Sequence, residues 1–281
     1  MRRIGAVSVA DALDSATIAI RAAGSPSARL DAELLLADAM GGSRERLIRE
    51  PEASLESAAA RTFRSHVSRR SAQREPIAYI VGRRAFRRLE IGVDARVLVP
   101  RPETELLVEL AAATLASGAR VLDCCCGSGA VALALKDERG DLIVSGSDLD
   151  RGALEVAAAN STRLGLEIEW LRADLLAGLE PERYHAVVAN PPYVPSGEIA
   201  GLEPEVSRHE PRLALDGGQD GLAVLERLVA QAGGAGVRTL ILEHGMGQAD
   251  AVEALCAAAG YFSCERHRDL AGIERVVLAR R

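Results

Sequence analysis

Asn190-Pro191-Pro192-Tyr193 follows directly on the apolar run Ala186-Val187-Val188-Ala189 and places two carbonyl acceptors together, the Asn190 side chain and the Pro191 backbone. Proline at 191 biases Asn190 towards an extended backbone. Pro192 fixes a further φ and removes an N–H that would compete for those carbonyls. A stiff loop rich in acceptors suits a planar nitrogen, whose delocalised lone pair reacts only when its NH2 group is oriented by hydrogen bonds. The chemistry is methyl transfer to that nitrogen, with Asn190, Pro191 and Tyr193 as catalytic residues and 190–193 holding the substrate. Tyr193 adds a π face for the substrate's flat group or for the positive sulfonium of a methyl donor.

A second constellation is Val121-Leu122-Asp123-Cys124-Cys125-Cys126-Gly127-Ser128-Gly129-Ala130, a strand running into a glycine-containing turn and then a helix. Gly127 and Gly129 let the backbone approach a ligand closely. The turn alone fits the dinucleotide pattern G-x-G-x-x-A as well, with Asp148 near the spacing of a ribose-binding acid, so it leaves NAD and S-adenosylmethionine level. Asp123 before the turn, Asp174 after the third strand and the Asn190–Tyr193 loop after the fourth tilt the reading to S-adenosylmethionine. In that reading Asp148 accepts from the ribose hydroxyls, Asp174 from the adenine amino group, Leu175 covers the ring, and Asp123 favours the cationic methionine end.

These residues need a sheet edge to gather them. Apolar runs near 119–124, 142–147, 168–172, 185–190 and 237–243 alternate with amphipathic segments, the pattern of a doubly wound α/β sheet. The last runs, near 261–264 and 274–279, lie too close together for a helical crossover and are expected to form an antiparallel hairpin on the sheet edge. Residues 1–75 read as a small helical domain, with Leu13, Ile18, Ile20, Leu30, Leu34, Leu35, Leu36 and Met40 at helical spacing. Residues 76–100 read as a β-hairpin linker, and 101–281 as the catalytic domain.

Composition bounds the partners. Residues 1–100 carry 17 Arg against 12 Asp and Glu, whereas 101–281 carry 17 Lys and Arg against 28 acids, so the catalytic part is acidic and repels nucleic acid. Arginines scattered over the front part fit a solvated face. Five cysteines, three of them consecutive, make neither a paired disulfide framework nor a zinc spacing, and small packing residues are expected at 124–126. No metal site is expected, and His185, His209 and His244, each isolated in sequence, fit capping or packing roles. The opening residues before Asp11 are too short for a signal or membrane segment; the expectation is a cytoplasmic, monomeric protein that contacts no membrane.

The chain resembles the HemK/PrmC family of glutamine methyltransferases, on Leu30–Leu36, Glu75–Gly82, Val99–Glu105, Asn190–Pro195, His209–Gly218 and Asp269–Gly272. The resemblance covers almost the whole chain. It implies a Rossmann-like class I methyltransferase fold, S-adenosylmethionine as cofactor, and peptide-chain release factors as partners, gripped by the helical domain and methylated on the glutamine of a Gly-Gly-Gln motif. It also implies cofactor contacts from Cys125, Cys126, Gly127, Ser128, Gly129, Asp148, Leu175 and Asn190. One departure stands out: Cys125 occupies the place of the first glycine in the family's Gly-Thr-Gly-Ser/Thr-Gly, and is expected to shift cofactor geometry slightly. Asn-Pro-Pro-Tyr is shared with DNA adenine methyltransferases, so the alternatives are a nucleic-acid adenine methyltransferase and a methyltransferase of another protein glutamine. A dehydrogenase and a non-catalytic binding scaffold fit the residues less well.

Overall fold

Helical periodicity in the first part of the chain produces α1 (Val9–Ala22), α2 (Ala28–Ala39), α3 (Arg44–Arg49) and α4 (Ser57–Ala72). The computed structural model describes residues 7–281; Met1–Ala6, on which part of the reading of the opening residues falls, lie outside them. Ser8 caps α1 by accepting from the Asp11 N–H. The buried stripe comprises Leu13, Ala16 and Ile20 of α1 and Ala32, Leu35 and Leu36 of α2, closed by Phe63. Ile18, Leu30 and Leu34 share the helical spacing but lie off this stripe and are exposed, because a 3.6-residue period buries only one face.

The hairpin expected over 76–100 is shorter. Ile77–Val81 forms α5, which buries Ala78, Tyr79 and Ile80 and ends at Gly82 with a left-handed φ of 75°. Burial of that apolar face outweighs the strand propensity of its β-branched residues. The hairpin itself is β1 (Arg83–Phe86) paired with β2 (Leu89–Gly92).

The remaining strands form one sheet: β3 (Arg120–Cys124), β4 (Ile143–Asp148), β5 (Glu169–Arg172), β6 (Ala186–Ala189), β7 (Thr239–Glu243), β8 (Ser263–Arg268) and β9 (Glu274–Arg280), in the order β5-β4-β3-β6-β7-β9-β8. The first five run parallel, and β9 is antiparallel to both β7 and β8. The chain therefore closes as an antiparallel hairpin on the sheet. The main helices of this unit are α6 (Glu105–Thr114), α7 (Ala130–Glu138) and α8 (Arg151–Leu164), then, after the short α9 (Pro204–Ser207), α10 (Ala223–Gly234) and α11 (Ala249–Ala258). Strand order reverses between β3 and β6, so their carboxyl ends open the crevice in which such sheets bind ligands.

Two compact units result. One holds the described residues up to Gly82 together with Glu203–His209; the other holds 83–202 and 210–281. Chain position alone does not reveal that α9 belongs with the helices. Within that first unit Glu205 of α9 accepts from Arg74 Nε at 2.8 Å and also pairs with Arg70, whose Nε bonds Asp31 at 2.8 Å. Arg70 is buried, and two carboxylates compensate its charge.

In the second unit Trp170 fills the face of the sheet behind the glycine turn. A Cβ built on Gly146 would stand 2.3 Å from its ring, and one on Gly129 2.6 Å. Gly146→Ala is therefore expected to lower stability by about 1–3 kcal/mol through overpacking. Urea unfolding measures this. Because Trp170 is the only tryptophan, its emission reports the displaced ring directly. Unchanged stability and emission would contradict the packing.

Candidate active site

The crevice at the β3/β6 switch is a cavity walled by Asp123, Cys124, Cys125, Cys126, Gly127 and Ser128 from the turn, Asp148 from β4, Asp174 and Leu175 after β5, and Asn190 and Pro192 after β6. Arg96, Arg101, Thr104, Ser147, Asp150, Asp216 and Arg227 add to its polar lining. Gly129, Pro191 and Tyr193 are not part of the wall. Gly129 is the N-cap of α7, with φ 78° and Trp170 at its back, while Pro191 is buried between the two wall residues Asn190 and Pro192.

The turn has left-handed backbone at the position of its missing first glycine. Cys125 adopts φ 62°, inside the left-handed region that glycine favours, and Gly127 follows at 52°. The cysteine thus bears backbone strain at this position. Its thiol is held protonated by a hydrogen bond with Cys124 and by burial, and the Cys126 thiol by burial. Leu175 is a second non-glycine residue of the wall at positive φ, 57°.

Each carboxylate of the wall already has a structural task. Asp123, 2% exposed, accepts from the Ala132 N–H at 3.0 Å, supplying from β3 the cap that Gly129 lacks on α7. Burial raises its pKa to about 8, opposed by the Ala132 hydrogen bond. Asp148 accepts from Gly127 N and Asp150 N, both at 2.9 Å, and burial raises its pKa too. Asp174 sits at the rim, half-exposed and paired with Arg227 at 2.6 Å.

Asn190 is half-buried, and its Nδ2 donates to the Thr104 hydroxyl at 3.0 Å. That fixes which end of the amide meets Thr104 and leaves the side-chain carbonyl as an acceptor. Tyr193 turns away from the wall: its hydroxyl donates to Glu243 Oε1 at 3.1 Å, and its backbone carbonyl accepts from Gln248. The hydroxyl thus anchors the loop to the end of β7. Glu243, at the end of β7, is buried, which raises its pKa to about 7. Three further residues escaped the sequence reading. Asn160 of α8 binds Gly92 O and Ser128 O, tying the hairpin to the turn, and Arg101 pairs with buried Glu210 at 2.6 Å. Arg101, Thr104 and Glu210 all fell within the matched family segments without being assigned a role.

His185 accepts from Arg120 N, His209 Nε2 meets Gln73 O, and His244 is buried beside Gly245 O. No group of His, Cys, Asp and Glu among the described residues is arranged to hold a metal ion. No helix among them is long and apolar enough to cross a membrane.

Residues 11–82 match the model of the PrmC N-terminal domain, and 102–202 that of the methyltransferase small domain. Relatives named release factor glutamine methyltransferase include one from Pseudomonas aeruginosa, 43% identical over 90% of this chain and 93% of its own length. One from Agrobacterium fabrum is 36% identical over 99% of both chains. The chain belongs to the release factor glutamine methyltransferase family. Among solved structures, the hMettl16 catalytic domain in complex with MAT2A 3'UTR hairpin 6 is similar at a TM-score of 0.56 and 13% identity, over 79% of this chain and 81% of that one. A methyltransferase from Pyrococcus furiosus aligns at 0.52 and 15%, over 76% and 98%. At these identities the likeness concerns the fold, a Rossmann-like methyltransferase sheet.

The turn's strain makes Cys125→Gly neutral to within about 1 kcal/mol, relief of the left-handed φ offsetting lost packing and added unfolded-state entropy. Cys125→Val, β-branched at positive φ, is expected to be clearly less stable. The reverse order of urea midpoints would contradict the assignment.

Asp123 gives a pH signature. Its folded pKa is raised, so folding disfavours the ionised form, and the cost grows as pH rises from about 4, the unfolded value, to about 8, then levels off. Asp123→Asn removes that term, so its stability relative to the parent should climb over the same interval. A pH-independent difference would show that Asp123 is not buried as an acid.

Proposed function

We propose that this chain transfers a methyl group from S-adenosylmethionine to the side-chain amide nitrogen of the glutamine in the Gly-Gly-Gln motif of peptide-chain release factors. The observation that carries the reading is the state of Asn190: it stands in the cavity wall with its NH2 end committed to Thr104, so its carbonyl end is the one offered to an incoming NH2 group. The Pro191 carbonyl is the second acceptor in this reading. Family membership supports the glutamine, and the acidic character of residues 101–281 disfavours a nucleic acid.

The donor set fits the cofactor. Asp148 keeps lone pairs free for two ribose hydroxyls after binding Gly127 and Asp150, and the Gly127 Cβ position faces open space, so the backbone is accessible. Leu175 offers an apolar cover, Asp174 an acceptor at the rim, and the turn 125–128 backbone and side-chain contacts. Asp123, in the same wall, is held largely protonated by burial, and a cationic methionine end beside it would favour its ionised form. When bound, S-adenosylmethionine supplies an electrophilic methyl on a sulfonium; the glutamine nitrogen gains that methyl and loses a proton to solvent, and S-adenosylhomocysteine leaves.

The protein's contribution is orientation. The two carbonyls direct the amide hydrogens so that the nitrogen lone pair faces the donor, and the double proline and the Tyr193 anchor hold the loop still. The helical unit, matching a PrmC N-terminal domain, is proposed to grip the release factor.

Mass spectrometry of release factor incubated with the chain and S-adenosylmethionine should find one methyl on the Gly-Gly-Gln peptide. Asn190→Ala should lower kcat by roughly 100-fold while cofactor affinity stays within about twofold. Methyl on another residue, or on duplex DNA or RNA instead, would overturn the substrate; equal loss of cofactor binding would overturn the role of Asn190.

A further inference from the structure

Helix α10 borders the cavity, and its residues divide by face. Leu225, Leu228, Val229 and Ala232 are buried in the core, whereas Val224 and Arg227 stand in the cavity wall. Gln231, one turn on from Arg227, lies on the same side of the helix. From there α10 grips the loop after β5 on both sides of Leu175. Arg227 Nη2 donates to Asp174 Oδ2 at 2.6 Å, and Gln231 Oε1 accepts from the Leu176 N–H at 2.9 Å. Leu175 between them holds φ 57°, a conformation that a residue with a side chain keeps only where its neighbours are fixed. Among the described residues only one oxygen of Asp174 is engaged, so the other is left to accept.

We propose that Arg227 and Gln231 are positioning residues that make the crevice selective for a 6-aminopurine. This deepens the proposed function and rests on its assignment of the adenine amino group to Asp174. A carboxylate only accepts hydrogen bonds, and the two purine edges it could meet offer different donors. Adenine presents its 6-amino group beside a ring nitrogen that accepts. Hypoxanthine presents a 6-oxo acceptor beside a ring N–H. The two donors sit on neighbouring atoms of the ring edge, so a carboxylate free to swing would follow either one. Held by Arg227 and by a pinned backbone, Asp174 keeps to the 6-position, where a 6-oxo group would meet a carboxylate oxygen with no proton between them.

The ion pair is half-exposed, so its own contribution to stability is small. Its effect lies in direction, because the guanidinium fork fixes the carboxylate it binds. Without Arg227, Asp174 keeps its charge and loses its fixed orientation. Without the Gln231 acceptor, the Leu176 N–H is released and Leu175 can leave its left-handed φ. Both losses act on selectivity more than on affinity.

Isothermal titration calorimetry with S-adenosylhomocysteine and with S-inosylhomocysteine, its 6-oxo analogue, reads this without release factor. The parent chain should prefer the adenosyl compound by roughly 10-fold or more. Asp174→Asn, whose amide can donate to a 6-oxo group, should abolish the preference. Arg227→Met and Gln231→Met should each cut it by roughly threefold or more. Arg227→Lys keeps the charge and Gln231→Glu keeps the acceptor, so both should retain most of it. In the Asp174→Asn background, Arg227→Met should change the ratio no further, because it acts through Asp174. A merely structural role would weaken both compounds equally; a ratio that is unchanged in Arg227→Met and Gln231→Met, or a parent chain that binds both compounds alike, overturns the proposal. Binding of neither compound would refute S-adenosylmethionine as the donor, and this proposal with it. A chain that shows these ratios yet leaves release factor unmethylated would refute the substrate and leave the roles of Arg227 and Gln231 standing.

Discussion

An amide nitrogen reacts only when its hydrogens are fixed by acceptors, and an asparagine accepts only when its own NH2 is occupied elsewhere. The hydrogen bond from Asn190 to Thr104 meets the second condition, and the rest of the unit is arranged so that it can form. Thr104 opens the segment leading into α6, Asn190 ends β6, and Glu243 ends β7. Parallel pairing of β6 with β7 brings the last two to one edge, and the Tyr193 hydroxyl closes the link between loop and strand.

The same edge gathers the proposed cofactor groups, and there the chain spends strain and desolvation. Among the described residues, four non-glycine residues have positive φ, and two of them, Cys125 and Leu175, are in the cavity wall. Asp123 and Glu243 are acids held in nearly dry surroundings. Costs of this kind persist where the surrounding structure over-determines them, and they concentrate at sites that act on a ligand.

Much of this was legible in the sequence. Strands announced themselves as apolar runs, and the closing hairpin followed from the short gap between the last two. The acceptor loop was visible in Asn190-Pro191-Pro192-Tyr193 because prolines act locally on the backbone. What stayed hidden depends on contacts between distant residues. Thr104 lies 86 positions from Asn190, and Tyr193 lies 50 from Glu243, so neither partnership leaves a periodic or spacing signal. For the same reason the tie of the Tyr193 hydroxyl to β7 has no mark in the sequence. That Cys125 takes the left-handed conformation is likewise set by its surroundings, since its residue type disfavours it. The helix at 77–81 was read as a strand because β-branched and aromatic residues serve either state until packing selects one.

The account turns on the amide being received by the Asn190 carbonyl inside the cavity. A crystal structure of the chain with S-adenosylhomocysteine and a Gly-Gly-Gln peptide tests this most directly. It should show the glutamine NH2 within hydrogen-bond distance of Asn190 Oδ1 and the Pro191 carbonyl, with its nitrogen directed at the sulfur. A glutamine seated elsewhere, or an Asn190 whose carbonyl faces Thr104 while its NH2 meets the substrate, would contradict it.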